Sequence, residues 1–292
     1  MPTRVPPPPG CVRISLPGGS ASLSRAAAAP PDLPSTEPPS PMNGPAPDLS
    51  LVVPVYNEEE NLPLLVEEIV AALAPLGRSW ELLLVDDAST DGSLAVMRRL
   101  AGADPRLRLL GHARNAGQTA ALASGFRAAR GDIVVTSDGD LQNDPADIPR
   151  LLAALADSDC VSGVRQNRRD TWVRRVSSRL ANGVRNWATD ESIADVGCSL
   201  KAYRREFLDH LPLFTGMHRF LPTLVRWNGA RVSEIPVSHR PRRFGVAKYG
   251  IGNRLARTIA DLLAVRWMRR RWIDRRNAAE LATPGAGAAG RP

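Results

Sequence analysis

The order of apolar and polar positions between residues 49 and 136 predicts strands that alternate with helices. Four short apolar runs have the length of buried strands: 51–55, 80–85, 106–111 and 132–136. Three segments between them repeat apolar residues at helical spacing: 61–74, 93–101 and 118–130. Continuous apolar strands separated by helices are typical of a parallel sheet that is covered on both faces. The pattern therefore predicts an α/β fold with a mostly parallel central sheet and helices on both faces.

Beyond residue 148 the pattern is less regular but still mixes both kinds of element. Helices are predicted at 149–156, 172–187, 203–211, 220–227 and 251–273. Strands are predicted near 159–163 and 232–239. For a chain of 292 residues, one catalytic domain with appendages is the simplest interpretation.

The composition changes sharply near residue 49. Residues 1–48 contain 14 of the 26 prolines and show no apolar periodicity, which predicts disorder. The expected organisation is a disordered segment at 1–48, a catalytic domain at 49–250, an amphipathic basic helix at 251–276 and a flexible tail at 277–292. Three scattered cysteines (Cys11, Cys160 and Cys198) form neither a disulfide framework nor a zinc motif, which fits a reducing cytosol.

Positive charge is concentrated near the C-terminal end of the sequence. The net charge is +8, and the cluster consists of Arg266, Arg269, Arg270, Arg271, Arg275 and Arg276 around Asp274. Such a cluster suits anionic lipid or nucleic acid, although a solvated helix end is the alternative. No uninterrupted run of about 18 apolar residues is present, so we expect membrane contact to be peripheral, on the cytoplasmic side.

Polar residues follow three of the predicted strands directly. The groups are Tyr56-Asn57-Glu58, Asp86-Asp87 and Ser137-Asp138-Gly139-Asp140. Parallel strands of this kind bind ligands at their carboxyl ends. We therefore expect the three groups to converge on one crevice.

Asp138 and Asp140 are separated by one small residue just past a strand. Two carboxylates so placed can hold a hard divalent cation, Mg²⁺ or Mn²⁺, beside a diphosphate. A lone Asp-X-Asp is more often a surface turn or a helix cap. For the segment from Val85 to Gly92, helix capping accounts for the hydroxyls but not for two adjacent carboxylates at a strand end.

Four segments together resemble the ordered motifs of family 2 glycosyltransferases. They are Val53–Leu62, the Asp-Asp-Ala-Ser-Thr-Asp-Gly segment from Asp86, Arg114–Gln118, and the Asp-Gly-Asp-Leu-Gln-Asn-Asp-Pro segment from Asp138. The resemblance covers about 49–265 and is greatest to the dolichyl-phosphate mannose synthase and bactoprenol glucosyltransferase branch. It implies the GT-A fold, a Rossmann-like nucleotide-binding half joined to an acceptor half.

The resemblance also implies roles for individual residues. The nucleotide-binding residues would be Pro54, Tyr56, Glu58, Asp87, Gln118 and Asp138, with Asp87 on the base. The ligands of Mg²⁺ or Mn²⁺ would be Asp138, Asp140 and Gln142. Asp140 would thereby take part in catalysis.

Three further segments resemble the phosphate and acceptor elements of the same branch. They are Gly163-Val164-Arg165, the stretch Asp195–Arg204, and Arg240–Tyr249, which resembles the family's Arg-X-X-Gly-X-Ser-Lys-Tyr block. The predicted catalytic cations are Arg165, Arg243 and Lys248. Ala247 stands where this block usually has serine. Asp195 is either a general base or a residue that orients an arginine, because an acceptor phosphate is already anionic.

The implied activity is inverting transfer of a sugar from a UDP- or GDP-sugar to a polyprenyl phosphate, in one displacement and without a covalent enzyme intermediate. The alternative within the same fold is transfer to a hydroxyl of a glycan or small molecule. A binding protein for nucleic acid or for a partner is the alternative from another class, but the sequence lacks an aromatic-interleaved basic patch or a helix-turn-helix signature. We therefore expect no nucleic-acid partner.

Overall fold

A computed structural model describes residues 45–166, 193–209, 211–212, 214–244 and 252–273, with the backbone alone for 252–259. All of these residues fall in one compact unit, Asn43–Pro292. The predicted helix at 172–187, the tail at 277–292 and residues 1–44 of the proline-rich segment lie outside the described residues.

Seven strands form one mixed sheet. They are β1 (Leu49–Val55), β2 (Trp80–Asp86), β3 (Leu107–Gly111), β4 (Ile133–Thr136), β5 (Cys160–Arg165), β6 (Lys201–Arg204) and β7 (Val232–Val237). Their order across the sheet is β3-β2-β1-β4-β6-β5-β7. Only β6 runs antiparallel to its neighbours, β4 and β5, and the other strand pairs are parallel. The mostly parallel sheet predicted from the sequence is confirmed.

Six α-helices lie in the described part of the chain. They are α1 (Leu62–Leu73), α2 (Ser93–Ala103), α3 (Gln118–Ala128), α4 (Ile148–Ala154), α5 (Leu221–Trp227) and α6 (Gly252–Arg270). No described helix combines the length and the apolar character that crossing a membrane requires.

The core occupies both faces of the sheet because successive strand residues point to opposite sides. In β2, Leu82 and Leu84 pack in a cluster with residues of α1, α2 and α4. Leu83 and Val85 pack in a second cluster with residues of α3, α5 and α6. The strands are therefore apolar at nearly every position, as the sequence pattern indicated, and helices cover both faces.

One predicted element is wrong. The helix expected at 203–211 is replaced by β6, Lys201–Arg204, and a short 3-10 turn, Arg205–Phe207. Tyr203 pairs with Val134 on one side and with Cys160 on the other, and its side chain is fully buried. Pairing with two neighbouring strands outweighs the local helical preference of this short segment, since tertiary contacts override weak propensities.

Candidate active site

A polar crevice of about 280 Å³ opens at the carboxyl ends of β1, β2 and β4. Eight of the residues predicted from the sequence line it: Pro54, Tyr56, Glu58, Asp87, Gln118, Asp138, Asp140 and Gln142. The topology explains this convergence, because β1 lies between β2 and β4 in the sheet and runs parallel to both. The predicted meeting of three strand ends in one crevice is confirmed.

Backbone strain is concentrated at the same three strand ends. Among the described non-glycine residues, only Asn57, Ala88 and Leu141 have positive φ, between 54° and 60°. Each follows one of the strands β1, β2 and β4 within a few residues. Left-handed conformations are costly for side chains such as leucine and persist where the surroundings hold them in place, often at functional sites.

Asp87 organises the loop that forms one wall of the crevice. Its carboxylate accepts hydrogen bonds from the backbone N–H groups of Ala116 at 2.9 Å and Gly117 at 2.7 Å. Nδ1 of His112 lies 2.7 Å from the same carboxylate, and Nε2 of His112 lies 3.0 Å from Oγ of Ser124. Asp87 is 3% exposed, so His112 and the loop fix the direction in which this carboxylate faces the crevice.

Asp138 and Asp140 stand together at the end of β4. Burial, and then the neighbouring charge of Asp140, raise the pKa of Asp138 to about 6. Nε2 of Gln118 donates to Oδ1 of Asp138 at 2.7 Å, and the backbone N–H of Gln142 donates to Oδ1 of Asp140 at 3.2 Å. Two carboxylates held this close repel each other, and a bound cation would relieve the repulsion.

Arg242 pairs with one of these two carboxylates. Its Nη2 donates to Oδ2 of Asp140 at 2.7 Å. Sequence reasoning missed this residue and assigned its neighbour, Arg243, instead. Counting back from Gly245 through the spacing Arg-X-X-Gly reaches Arg242, so the signal was present in the motif.

Arg243 is exposed, and its guanidinium carbon lies 5.7 Å from the centre of the Phe244 ring. Arg243 lines a second pocket, which shares Arg242 with the crevice, and it does not line the crevice itself. Lys248 lies outside the described residues. The roles predicted for Arg243 and Lys248 stay predictions.

Arg165 and Asp195 form a bidentate ion pair. Nε and Nη2 of Arg165 donate to the two carboxylate oxygens of Asp195 at 2.7 and 2.8 Å. The backbone N–H of Gly197 donates to Oδ1 of Asp195 at 3.1 Å. A Cβ on Gly197 would lie 2.6 Å from Nη2 of Arg165, so glycine permits the close approach of the guanidinium. Asp195 is thus engaged in orienting Arg165.

A smaller cavity of about 100 Å³ lies next to the crevice, and Gln118 and Asp138 line both. Lys201 lines the smaller cavity and is 2% exposed, and its Nζ donates to the backbone carbonyl of Cys198. Burial lowers the pKa of Lys201. His218 also lines this cavity, and burial lowers its pKa to about 3. Lys201 escaped prediction because its strand, β6, was not foreseen.

The donor atoms in the crevice fit a divalent cation that is shared with a substrate. Asp138, Asp140 and Gln142 supply two carboxylates and a side-chain amide oxygen at one edge, which are hard ligands of the kind that Mg²⁺ and Mn²⁺ bind. Within the described ranges, no cluster of three histidine, cysteine or acidic side chains forms a complete metal cage. The remaining ligands would come from phosphate oxygens and water, as is usual for Mg²⁺ in nucleotide enzymes.

Comparison with solved structures supports the predicted GT-A fold. A mannosyltransferase from Pyrobaculum calidifontis, in complex with GDP-Man and Mn²⁺, matches with a TM-score of 0.56 and 25% identity, over 77% of this chain and 64% of that one. Glucosyl-3-phosphoglycerate synthase from Mycobacterium tuberculosis, in complex with Mn²⁺, UDP and glucosyl-3-phosphoglycerate, matches with a TM-score of 0.55 and 21% identity, over 78% of this chain and 82% of that one. The predicted GT-A fold is confirmed.

Two curated relatives are more similar in sequence. Dodecaprenyl-phosphate galacturonate synthase of Rhizobium johnstonii is 43% identical over 76% of this chain and 68% of its own length. Undecaprenyl-phosphate 4-deoxy-4-formamido-L-arabinose transferase of Sodalis glossinidius is 43% identical over 70% of this chain and 63% of its own length. The chain thus spans about two thirds of the length of these relatives.

The model of the family "Glycosyl transferase family 2" matches residues 50–211. This stretch contains β2 to β6, all of β1 except Leu49, and every crevice residue predicted from the sequence. The family suggested by the four ordered motifs is therefore confirmed, and this chain belongs to glycosyl transferase family 2.

Proposed function

We propose that this protein is an inverting glycosyltransferase that moves a sugar from a UDP- or GDP-sugar to a polyprenyl phosphate. One observation carries the proposal: the crevice brings Asp138 and Asp140 together with Gln118 and Arg242 at the carboxyl edge of the sheet. Paired carboxylates and an arginine in one cleft suit a cation and a diphosphate. Two relatives with 43% identity carry polyprenyl-phosphate transferase or synthase names, which supports this acceptor class.

On this proposal the nucleoside lies against the ends of β1 and β2. The backbone at Pro54 and Tyr56, with Glu58 nearby, packs around it, and Asp87 accepts a hydrogen bond from the base. Uracil and guanine both carry an imide N–H group that can donate a hydrogen bond to a carboxylate. Hydrogen bonds from the backbone of Ala116 and Gly117 hold the Asp87 carboxylate in place, and Nδ2 of Asn61 donates to Glu58 at 2.6 Å.

Asp138, Asp140 and Gln142 would hold Mg²⁺ or Mn²⁺ between the protein and the diphosphate. When bound there, the cation supplies positive charge to the leaving nucleoside diphosphate. Arg165, kept in place by Asp195, would hold an acceptor or donor phosphate with its planar fork. The acceptor phosphate attacks the anomeric carbon from the side opposite the nucleotide, which inverts the configuration.

The engagement of Asp195 favours a phosphate acceptor over a hydroxyl. A hydroxyl must lose a proton to become a nucleophile, and Asp195 is the residue for which the sequence left the role of general base open. Its carboxylate already accepts hydrogen bonds from Arg165 and Gly197, and a paired carboxylate is a weak base. A phosphate oxygen is anionic at neutral pH and needs no such base.

Helix α6 supports peripheral attachment to the cytoplasmic face of a membrane. The exposed large apolar side chains of the described residues are Leu263, Trp267 and Ile273, all on α6 or just after it. Arg270 and Arg271 are exposed on the same stretch, and the Arg271 guanidinium lies 5.2 Å from the Trp267 ring centre. Apolar and cationic side chains together suit the surface of an anionic bilayer, where a polyprenyl phosphate resides.

Transfer of labelled sugar tests the acceptor class directly. A panel of UDP- and GDP-sugars with Mn²⁺ or Mg²⁺ would be offered to a short polyprenyl phosphate and, as the matched control, to the polyprenol of the same length. We expect labelled lipid only with the phosphate, and with inverted anomeric configuration by NMR. Transfer to the polyprenol or to glycan hydroxyls, and none to the phosphate, would replace this proposal with the hydroxyl alternative.

A further inference from the structure

The guanidinium of Arg242 is paired with Asp140, one of the three proposed cation ligands. Nη2 of Arg242 lies 2.7 Å from Oδ2 of Asp140, whose side chain is 9% exposed. The other oxygen, Oδ1, accepts a hydrogen bond from the backbone N–H of Gln142. Both carboxylate oxygens of Asp140 are thus engaged with donors of the chain itself.

The other half of the Arg242 fork has no acceptor. Nη1 of Arg242 is buried and makes no hydrogen bond to the described residues. Buried donors normally find a partner, and one left without is costly. Because Arg242 lines the crevice, a ligand there can supply the missing acceptor.

A divalent cation and this guanidinium compete for Asp140. Each is positively charged and each needs a carboxylate oxygen at bonding distance, so a cation bound at Asp140 repels Arg242 at its present position. A diphosphate in the crevice changes the balance, because its oxygens can accept both N–H groups of one edge of the fork. Arg242 can then leave Asp140 without losing its counter-charge.

We propose that Arg242 couples cation binding to nucleotide binding by holding Asp140 until a diphosphate takes up its guanidinium. The inference rests on the proposed cation site at Asp140. On this proposal the cation alone binds weakly because it must displace Arg242, and a bound nucleoside diphosphate removes this competition. By linkage, the cation strengthens nucleotide binding by the same factor.

The test measures Mn²⁺ binding by electron paramagnetic resonance, with and without UDP or GDP, in the full chain. Without nucleotide, Arg242→Gln is expected to bind Mn²⁺ about tenfold more tightly than wild type, the scale of one charged hydrogen bond. In the same variant, the gain in Mn²⁺ affinity caused by UDP or GDP should shrink by a similar factor. Arg242→Lys, which keeps the charge but loses the fork, should fall between the two.

Arg150→Gln is the matched control. Arg150 also pairs with a carboxylate at 2.7 Å, that of Asp147, but it does not line the crevice. This variant should keep the wild-type Mn²⁺ affinity, and thermal melting would verify that each variant is folded.

Equal or weaker Mn²⁺ binding by both Arg242 variants would overturn the coupling role while leaving the cation site intact. Absence of Mn²⁺ binding in every protein, even with UDP or GDP present, would overturn the cation site and the coupling together.

Discussion

The two ends of the central sheet use carboxylates in opposite ways. At the amino end, Glu81 on β2 accepts hydrogen bonds from Ser50 at 2.7 Å, Arg108 at 2.8 Å and the backbone of Arg130 at 2.8 Å. Burial alone would raise the pKa of Glu81, but these partners outweigh it and hold the pKa below its ordinary value. At the carboxyl end, the pKa of Asp138 is instead raised to about 6.

The difference indicates that the carboxylate at the amino end stabilises the fold, whereas those at the carboxyl end are available to bind a ligand. Glu81 is 2% exposed, and its charge is balanced within the chain. Asp138 and Asp140 repel each other, and Arg242 pairs with Asp140 alone. The acidic side chains therefore contribute stability at the amino edge and binding capacity at the carboxyl edge.

Replacing Glu81 with Gln should lower the free energy of unfolding by about 3 kcal/mol, because it leaves the partly buried guanidinium groups of Arg108 and Arg130 without their shared counter-charge. Urea denaturation would measure the loss. Asp138→Asn is the control from the other end of the sheet, and it should leave the unfolding free energy unchanged or slightly higher, since it removes a repulsion. A large loss of stability in Asp138→Asn would contradict the contrast between the two ends.

The ion pair between Arg165 and Asp195 should act as one unit in catalysis. We expect Asp195→Asn and Arg165→Ala each to lower kcat by about 100-fold, the scale for losing one preorganised donor to a developing charge. The double variant should be no slower than Arg165→Ala, because Asp195 acts through Arg165. Multiplied losses in the double variant would show instead that Asp195 acts independently, as a base would.

The sequence predicted most of the residues at the carboxyl edge of the sheet but not the side-chain contacts between distant segments there. The crevice residues from Pro54 to Gln142 follow strands whose continuous apolar runs are local signals. The resemblance offered Asp195 as a residue that orients an arginine, but it did not identify the partner, Arg165, which lies 30 residues away. It also did not pair Arg242 with Asp140, across 102 residues. No local pattern encodes such distances. The strand β6 was not predicted for the same reason, because it is a strand only through its pairing with β4 and β5.

The exposed face of α6 offers a third region for comparison, in which apolar groups meet solvent. Trp267→Ser should weaken binding to phosphatidylglycerol-containing vesicles about tenfold or more, by the transfer free energy of one large apolar side chain. Vesicle sedimentation would measure it. The double variant with Arg270→Ser and Arg271→Ser should also bind the vesicles more weakly than wild type. This loss should be larger at low salt than at high salt.

Arg98→Ser with Arg99→Ser serves as the control for the loss of charge, since both arginines are exposed on α2. These changes should leave vesicle binding unaltered. Equal binding by wild type and Trp267→Ser would remove α6 from the membrane surface.

The smallest expected effect is the acid dependence of stability. The pKa of Glu81 is lowered in the folded protein, so its stabilising contribution is present above its ordinary value of 4.5 and is lost as the pH falls through the folded value. The stability difference between wild type and Glu81→Gln should therefore be constant near neutrality and shrink below about pH 4.5. Thermal melting from pH 7 to pH 3 would measure this, and a difference that grew on acidification would contradict the assignment.

The central claim is that the acidic pair at the carboxyl edge serves sugar transfer to a polyprenyl phosphate. Its most direct test is nucleoside diphosphate release by wild type and Asp140→Asn, with Mn²⁺, a UDP- or GDP-sugar and a short polyprenyl phosphate. We predict lipid-dependent release by wild type and a loss of at least about 100-fold in the variant, with thermal melting to verify that the variant is folded. Lipid-dependent release by Asp140→Asn at the wild-type rate would contradict the account.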